Sequence, residues 1–334
     1  MELEQIIDTE FECCNKAANQ IIEAINDFNE QKRLGKNEKE YFVLGLATGS
    51  SPKLLYNLLV EVENNNRVNF ENVVTFNLDE YIGLSRNSDD PHQNHQESYE
   101  RFMYDHLFSR LYTPPNKTFF PGDQKSFEGN PNVTTGIETS LLEIELGNPN
   151  NIEKLGNPNK GKAIIIPSST TNKYLSIVKR KLDEYESLIK EHGGIDIQVL
   201  GVGIQGHLGF HESGIPFCDK TRMLLVELDN STRQKAVDDS YFTRIDDVPK
   251  YALSMGASLI KEAKEAIVLA WSENKNGIVR DFHNSNVSDQ IPLTIIKQMD
   301  NVTLYIDYKC EGRDLEVPHR TVYTLNCSNG VKKW

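Results

Sequence analysis

Ile6, Ile7, Phe11, Ala17, Ile21, Ile22, Ile25 and Phe28 recur at near-helical spacing, which predicts an amphipathic helix over the opening thirty residues. "YFVLGLA" (41–47), "NVVTFNL" (72–78), "IDIQVLGVG" (195–203), "EAIVLAWS" (265–272) and "NVTLYIDY" (301–308) are short, nearly unbroken apolar runs and read as buried strands. Between them the pattern turns helical in "KLLYNLLVEVENN" (53–65), "SYERFMYDHLFSRL" (98–111), "TTNKYLSIVKRKLDEYESLIKEHGG" (170–194) and "ALSMGASLIKEA" (252–263). Strands alternating with helices predict an α/β fold, a mostly parallel sheet covered on both faces. Residues 145–165 break the alternation. "LGNPN" occurs there twice, at 146–150 and 155–159, in a stretch rich in Asn, Gly and Pro that reads as a surface loop inserted into a single domain spanning 1–334.

In such sheets ligands sit beyond the carboxyl ends of the strands, and three polar clusters fall at those ends: 48–51, 77–81 and 203–212. In "LATGSSP", Thr48, Gly49, Ser50 and Ser51 stand between a strand and a helix. They can hold an anion through hydroxyls and helix N–H groups, or simply cap the turn with Ser51 as N-cap. In "NLDEYIGL", Asp79 and Glu80 are adjacent at a strand end and point to opposite faces, so one at most enters a given pocket as an acid or base. The alternative is a solvated junction between strand and loop.

"GVGIQGHLGFHES" (201–213) admits three chemistries. Gly201, Gly203 and Gly206 match a dinucleotide fingerprint, but the helix it requires is missing, since "HLGFHESGIPF" carries further glycines and a proline. Zinc on His207 and His211 would need both on one helical face, which the same residues oppose. Acid–base work remains: an imidazole on a glycine-rich loop approaches a substrate closely, and Glu212 can orient it.

Taken together, "LGLATGSSP", "VVTFNLDEYIGL" with "HQESYERFMYDHLF", "GVGIQGHLGFHE" and "VPKYALSMGASLIKEAKEAIVLAWSENK" resemble, in order and spacing, the glucosamine-6-phosphate deaminase/isomerase family, which is related to the 6-phosphogluconolactonases. The resemblance covers roughly residues 10–310 apart from the stretch near 145–165. It implies a modified Rossmann-like three-layer sandwich without a dinucleotide, metal or other cofactor. The implied reaction converts glucosamine 6-phosphate to fructose 6-phosphate and ammonia. Carried over residue by residue, Asp79 is the base for the C2 proton, His207 assists ring opening, and Glu212 tunes His207. Thr48, Gly49, Ser50, Ser51, Glu80 and Gly206 line the substrate, and Lys275 in "SENK" pairs with its phosphate.

The chain departs from the family at several positions. Gln205 stands where an aspartate that takes part in ring opening is usual, so it enters the catalytic set altered, and "FHE" replaces "FNE", adding His211 as a titratable group and a second proton path. Tyr241 occupies the neighbourhood of a phosphate-binding arginine; Arg222 matches an allosteric arginine, but Leu224 replaces the lysine expected beside it. Two other functions stay in view: a related enzyme, either a sugar-phosphate lactonase or an isomerase for another hexosamine phosphate, and, because of Gln205 and Tyr241, a protein that binds sugar phosphates without turnover.

A net charge of −13 gives no basic footprint for nucleic acid. No run approaches eighteen apolar residues, and the acidic start "MELEQIIDTEFECC" resembles no signal peptide. Five cysteines without C-x-x-C spacing suit a reducing compartment, so a cytoplasmic protein is expected, acting on a phosphorylated amino sugar, with no membrane partner and with homo-oligomers among the assemblies open to it.

Overall fold

A computed structural model describes residues 2–84, 90–122, 139–148, 150–312, 318–325 and 331–333. The strands are β1 (Glu2–Asp8), β2 (Phe42–Leu46), β3 (Val73–Asn77), β4 (Asp79–Tyr81), β5 (Lys117–Phe119), β6 (Glu153–Leu155) and β7 (Lys162–Ile165), then β8 (Ile197–Gly201), β9 (Met223–Glu227), β10 (Tyr251–Met255), β11 (Glu265–Ala270), β12 (Asn301–Asp307), β13 (His319–Leu325) and β14 (Val331–Lys333). The helices are α1 (Glu10–Arg33), α2 (Lys53–Asn64), α3 (Tyr99–His106), α4 (Thr139–Leu146), α5 (Lys173–Glu191), α6 (Asn230–Asp238), α7 (Ala257–Ile260), α8 (Asn276–Asn284) and α9 (Tyr308–Glu311).

Among the described residues, nine strands form one sheet in the order β14-β13-β1-β12-β11-β8-β2-β3-β5. All pairs from β1 to β5 along that order are parallel, and β13 and β14 add an antiparallel edge. The fold is therefore the expected α/β sandwich on a mostly parallel sheet. Alternation along each strand sends successive side chains to opposite faces. Leu44, Val73, Val199 and Leu269 pack with Cys13, Ile21, Ile25, Leu55 and Leu59 of α1 and α2. Val43, Val74, Leu200 and Val268 pack on the other face with Leu175 and Val178 of α5 and Phe282 of α8.

A second, antiparallel sheet was not foreseen: β4-β10-β9-β7-β6. Leu78 is the switch between the two. Its N–H donates to Leu46 O of β2, and its carbonyl accepts from Met255 N at the end of β10. One chain thus passes from the parallel sheet (β3) to the antiparallel one (β4) within a single residue.

Three expectations are corrected. The helix over the opening thirty residues begins only at Glu10, where the Thr9 hydroxyl accepts from Glu12 N; Glu2–Asp8 is a strand parallel to β12. "ALSMGASLIKEA" splits into β10 and the single turn of α7, because β10 is paired on both sides, with β4 and β9, and such pairing outweighs local helical spacing. The stretch near 145–165 ends α4 and then forms the β6–β7 hairpin, whose β7 pairs with β9, so it belongs to the second sheet.

Candidate active site

The sheet switch determines where the first carboxylate lies. β4 starts immediately after Leu78, placing Asp79 opposite Ser254 of β10 and 95% buried. The loop leaving β8 turns at Gly209, whose φ of +54° is left-handed; a Cβ there would lie 2.9 Å from both Asp79 Oδ2 and Ser254 Oγ. Ser254 Oγ also accepts from Phe210 N at 3.1 Å, tying the loop to the second sheet. Asp79 and the 201–213 loop are thus in van der Waals contact. Burial first, and the Glu80 charge second, push the Asp79 carboxyl well above the usual carboxylate range.

Glu80 points away from that pocket. Its carboxylate accepts from Tyr81 N (2.8 Å), Tyr99 N (3.0 Å) and Glu100 N (2.9 Å), closing the N-terminus of α3. Expected among the substrate-lining residues, it is placed instead as an anchor of α3. Burial raises it to about 7 despite the three N–H donors.

His207 lies over Gly203, where a Cβ would come within 2.2 Å of Nε2; a side chain at 203 and this imidazole cannot coexist. Burial lowers the His207 pKa, Glu212 and Asp229 oppose that shift, and Lys275 and Lys160 reinforce it. Glu212 is buried, and its Oε1 accepts from Thr232 Oγ1 of α6 at 2.7 Å. An imidazole held neutral beside a buried carboxylate can take and return a proton near neutrality.

At the end of β2, Ser51 is buried and its hydroxyl accepts from Lys275 Nζ at 3.2 Å. It does not cap α2: Pro52 is the N-cap residue there and makes no side-chain cap. Trp271 Nε1 donates to Ser51 O, and Gly201 of β8 lies alongside, so 48–51 and 271–275 meet at neighbouring strand ends. Thr48 and Gly49 are half-buried in this turn and Ser50 is exposed. Burial lowers the Lys275 pKa, with Lys235 of α6 a repelling neighbour. Lys235 is itself paired with Asp239. A cation, a hydroxyl and a helix start without a side-chain cap can together hold a phosphate.

Two residues of the loop have other work. Gly206 donates its N–H to Gly203 O and its carbonyl accepts from Leu293 N, so it shapes the loop. His211 is fully buried; Nδ1 accepts from Ala257 N (3.1 Å), which leaves Nε2 to donate to Ile215 O (2.9 Å). Its pKa falls to about 4 through burial. The second proton path expected of His211 is overturned: both ring nitrogens are committed to the backbone. Gln205 is exposed, and its Oε1 accepts from Lys160 Nζ at 2.6 Å. Sequence reasoning passed over Lys160, since "GNPNKGK" carries no signal beyond that of a polar turn. Arg222 is engaged by Glu186 and Glu262, and Leu224 is buried in β9.

The sequence model of the family described as "Glucosamine-6-phosphate isomerases/6-phosphogluconolactonase" matches residues 8–305. A glucosamine-6-phosphate deaminase of Clostridium botulinum is 34% identical over 271 residues, 81% of this chain and 84% of that one. One of Oceanobacillus iheyensis is 32% identical over 316 residues, 94% and 98% of the two chains. Among solved structures, a monomeric glucosamine-6-phosphate deaminase superposes with a TM-score of 0.65 at 28% identity, covering 93% of this chain and 99% of that one. A 6-phosphogluconolactonase from Plasmodium vivax (TM-score 0.54, 13% identity, 91% and 90% covered) shares the fold. With these matches and this site geometry, the chain belongs to the glucosamine-6-phosphate isomerase/6-phosphogluconolactonase family.

Proposed function

We propose that the protein is an amino sugar phosphate deaminase that converts glucosamine 6-phosphate and water to fructose 6-phosphate and ammonia. One observation carries this reading: Asp79, the His207–Glu212 loop and the Ser51–Lys275 pair converge at the strand ends of a chain with about a third of its aligned residues identical to named deaminases. The lactonase reading is not favoured, because the lactonase likeness, at 13% identity, speaks for fold alone.

In the proposed reaction Ser51, Lys275 and the start of α2 hold the phosphate. Neutral His207 takes the anomeric hydroxyl proton and returns one to the ring oxygen, opening the sugar to its aldehyde. Asp79 then removes the C2 proton, and the electron pair moves through C1–C2 onto the carbonyl oxygen, which gains a proton. Once the ammonium has lost one proton to solvent, the amine lone pair is free; Asp79 delivers the C2 proton to C1 and the double bond moves to C2–N, giving an iminium. Water adds at C2 and ammonia leaves, so the ketose carries one oxygen from water. Asp79 must be ionised to take the C2 proton, and a substrate ammonium beside it would favour the charge that burial and Glu80 disfavour. We propose a cytoplasmic location, which the free thiols Cys13, Cys14, Cys218 and Cys310 support; Cys327 lies outside the described residues.

The test is incubation with glucosamine 6-phosphate, following fructose 6-phosphate and ammonia together. Equal amounts of the two are expected. Acid release from 6-phosphogluconolactone in place of these products would transfer the protein to the lactonases, and thermal stabilisation by sugar phosphates with no product would make it a binding protein.

A further inference from the structure

The hairpin turn between β6 and β7, residues 156–161, is docked onto the site loop at several points. Gly161 N donates to Asp229 Oδ2 at 3.2 Å, at the head of α6. A Cβ on Gly161 would lie 2.8 Å from Glu212 Cγ, and one on Gly214 would lie 3.0 Å from Asn157 Cβ. Between these contacts the turn projects Lys160, whose Nζ lies 2.6 Å from Gln205 Oε1, two residues before His207. Lys160 is only partly exposed, and no carboxylate ion pair is found for it among the described residues.

We propose that Lys160 is a positioning residue of this site, anchoring the Gln205 carboxamide at its mouth and presenting a fixed positive charge to His207. The geometry makes the hairpin one wall of the site. Accepting from an ammonium fixes which way the Gln205 amide is turned, because only its oxygen can receive that proton. The charged groups facing His207 come from four elements: Glu212 on its own loop, Asp229 before α6, Lys275 before α8, and Lys160 on the turn. Two anions and two cations surround the imidazole, and Lys160 is the one cation of the pair not placed at the phosphate. Removing it leaves Glu212 and Asp229 opposed by Lys275 alone, which favours the imidazolium and leaves less neutral His207 to accept a proton as pH falls.

This inference rests on the deaminase reading for its catalytic meaning, but its test does not need turnover. The His207 imidazole would be titrated by NMR in the full chain, assigned with His207→Gln, for wild type, Lys160→Met, Lys160→Gln and Lys160→Arg. Both neutral variants are expected to raise the His207 midpoint by about half a pH unit, with Arg restoring it. In the active enzyme the acidic limb of kcat/KM should move up by the same amount. Lys160→Gln gives a second neutral chain if Lys160→Met disturbs the turn. A His207 midpoint unmoved in the neutral variants would overturn the proposal, whatever their activity. Absence of turnover in wild type with a moving midpoint would overturn the deaminase reading alone.

Discussion

Asp79 carries its charge into a nearly closed environment, so removing that charge should stabilise the fold as it removes the base. Asp79→Asn is expected to raise Tm by roughly 2 °C, on the order of 1 kcal/mol; a lower Tm would show that the carboxylate has a partner the fold depends on. His211 makes a contribution with a definite sign. Its folded pKa of about 4 lies below the unfolded value near 6.5, so the unfolded chain binds more protons between those limits. Its contribution to stability, up to roughly 3 kcal/mol, is present above pH 6.5 and lost as pH falls toward 4. Asp79 and Glu80, raised by burial, act in the opposite sense. The comparison is therefore urea unfolding of wild type against His211→Gln from pH 4 to 8. The variant is expected to be less stable at pH 7, with the gap closing on acidification; a gap independent of pH would refute the committed neutral imidazole. In the sequence, Asp79 and His207 were legible because strand ends and glycines mark them. The fate of His211 was not, because it depends on Ala257, which is 46 residues away and meets it only in the fold.

At the scale of elements, Glu80 joins the sheet switch to α3, and its charge also bears on Asp79. Glu80→Gln leaves one acceptor oxygen for three N–H groups and is expected to cost about 1–3 kcal/mol. It should also shift the acidic limb of turnover to lower pH, since Asp79 loses a negative neighbour and stays ionised further down. A destabilised enzyme with an unshifted limb would separate Asp79 from that limb. The parallel strands were readable as apolar runs because both their faces are buried. β1 was not: Gln5 occupies an inward position between Leu3 and Ile7 and masks the alternation. The second sheet was hidden for a related reason. β4 and β6 have three residues each, and β4 is "DEY", whose two carboxylates read as a junction. Pairing partners far along the chain made it a strand.

Across the whole molecule, the proposed site lies where the two sheets meet. Leu78 ends one and opens the other, Asp79 follows it, and the β8 loop closes over Asp79 from the parallel side. The convergence of three strand-end clusters could be argued from the order of elements. The wall contributed by the β6–β7 hairpin could not, since its polar turn reads as solvated until β7 is seen paired with β9. The account stands or falls on Asp79 as the base, and the most direct measurement compares wild type with Asp79→Asn on glucosamine 6-phosphate, recording kcat by fructose 6-phosphate and ammonia, and sugar-phosphate affinity by calorimetry. The expected result is a kcat reduced by at least about a hundredfold (2.7 kcal/mol of barrier), with affinity within a few-fold of wild type. A variant keeping more than about a tenth of wild-type kcat would contradict it.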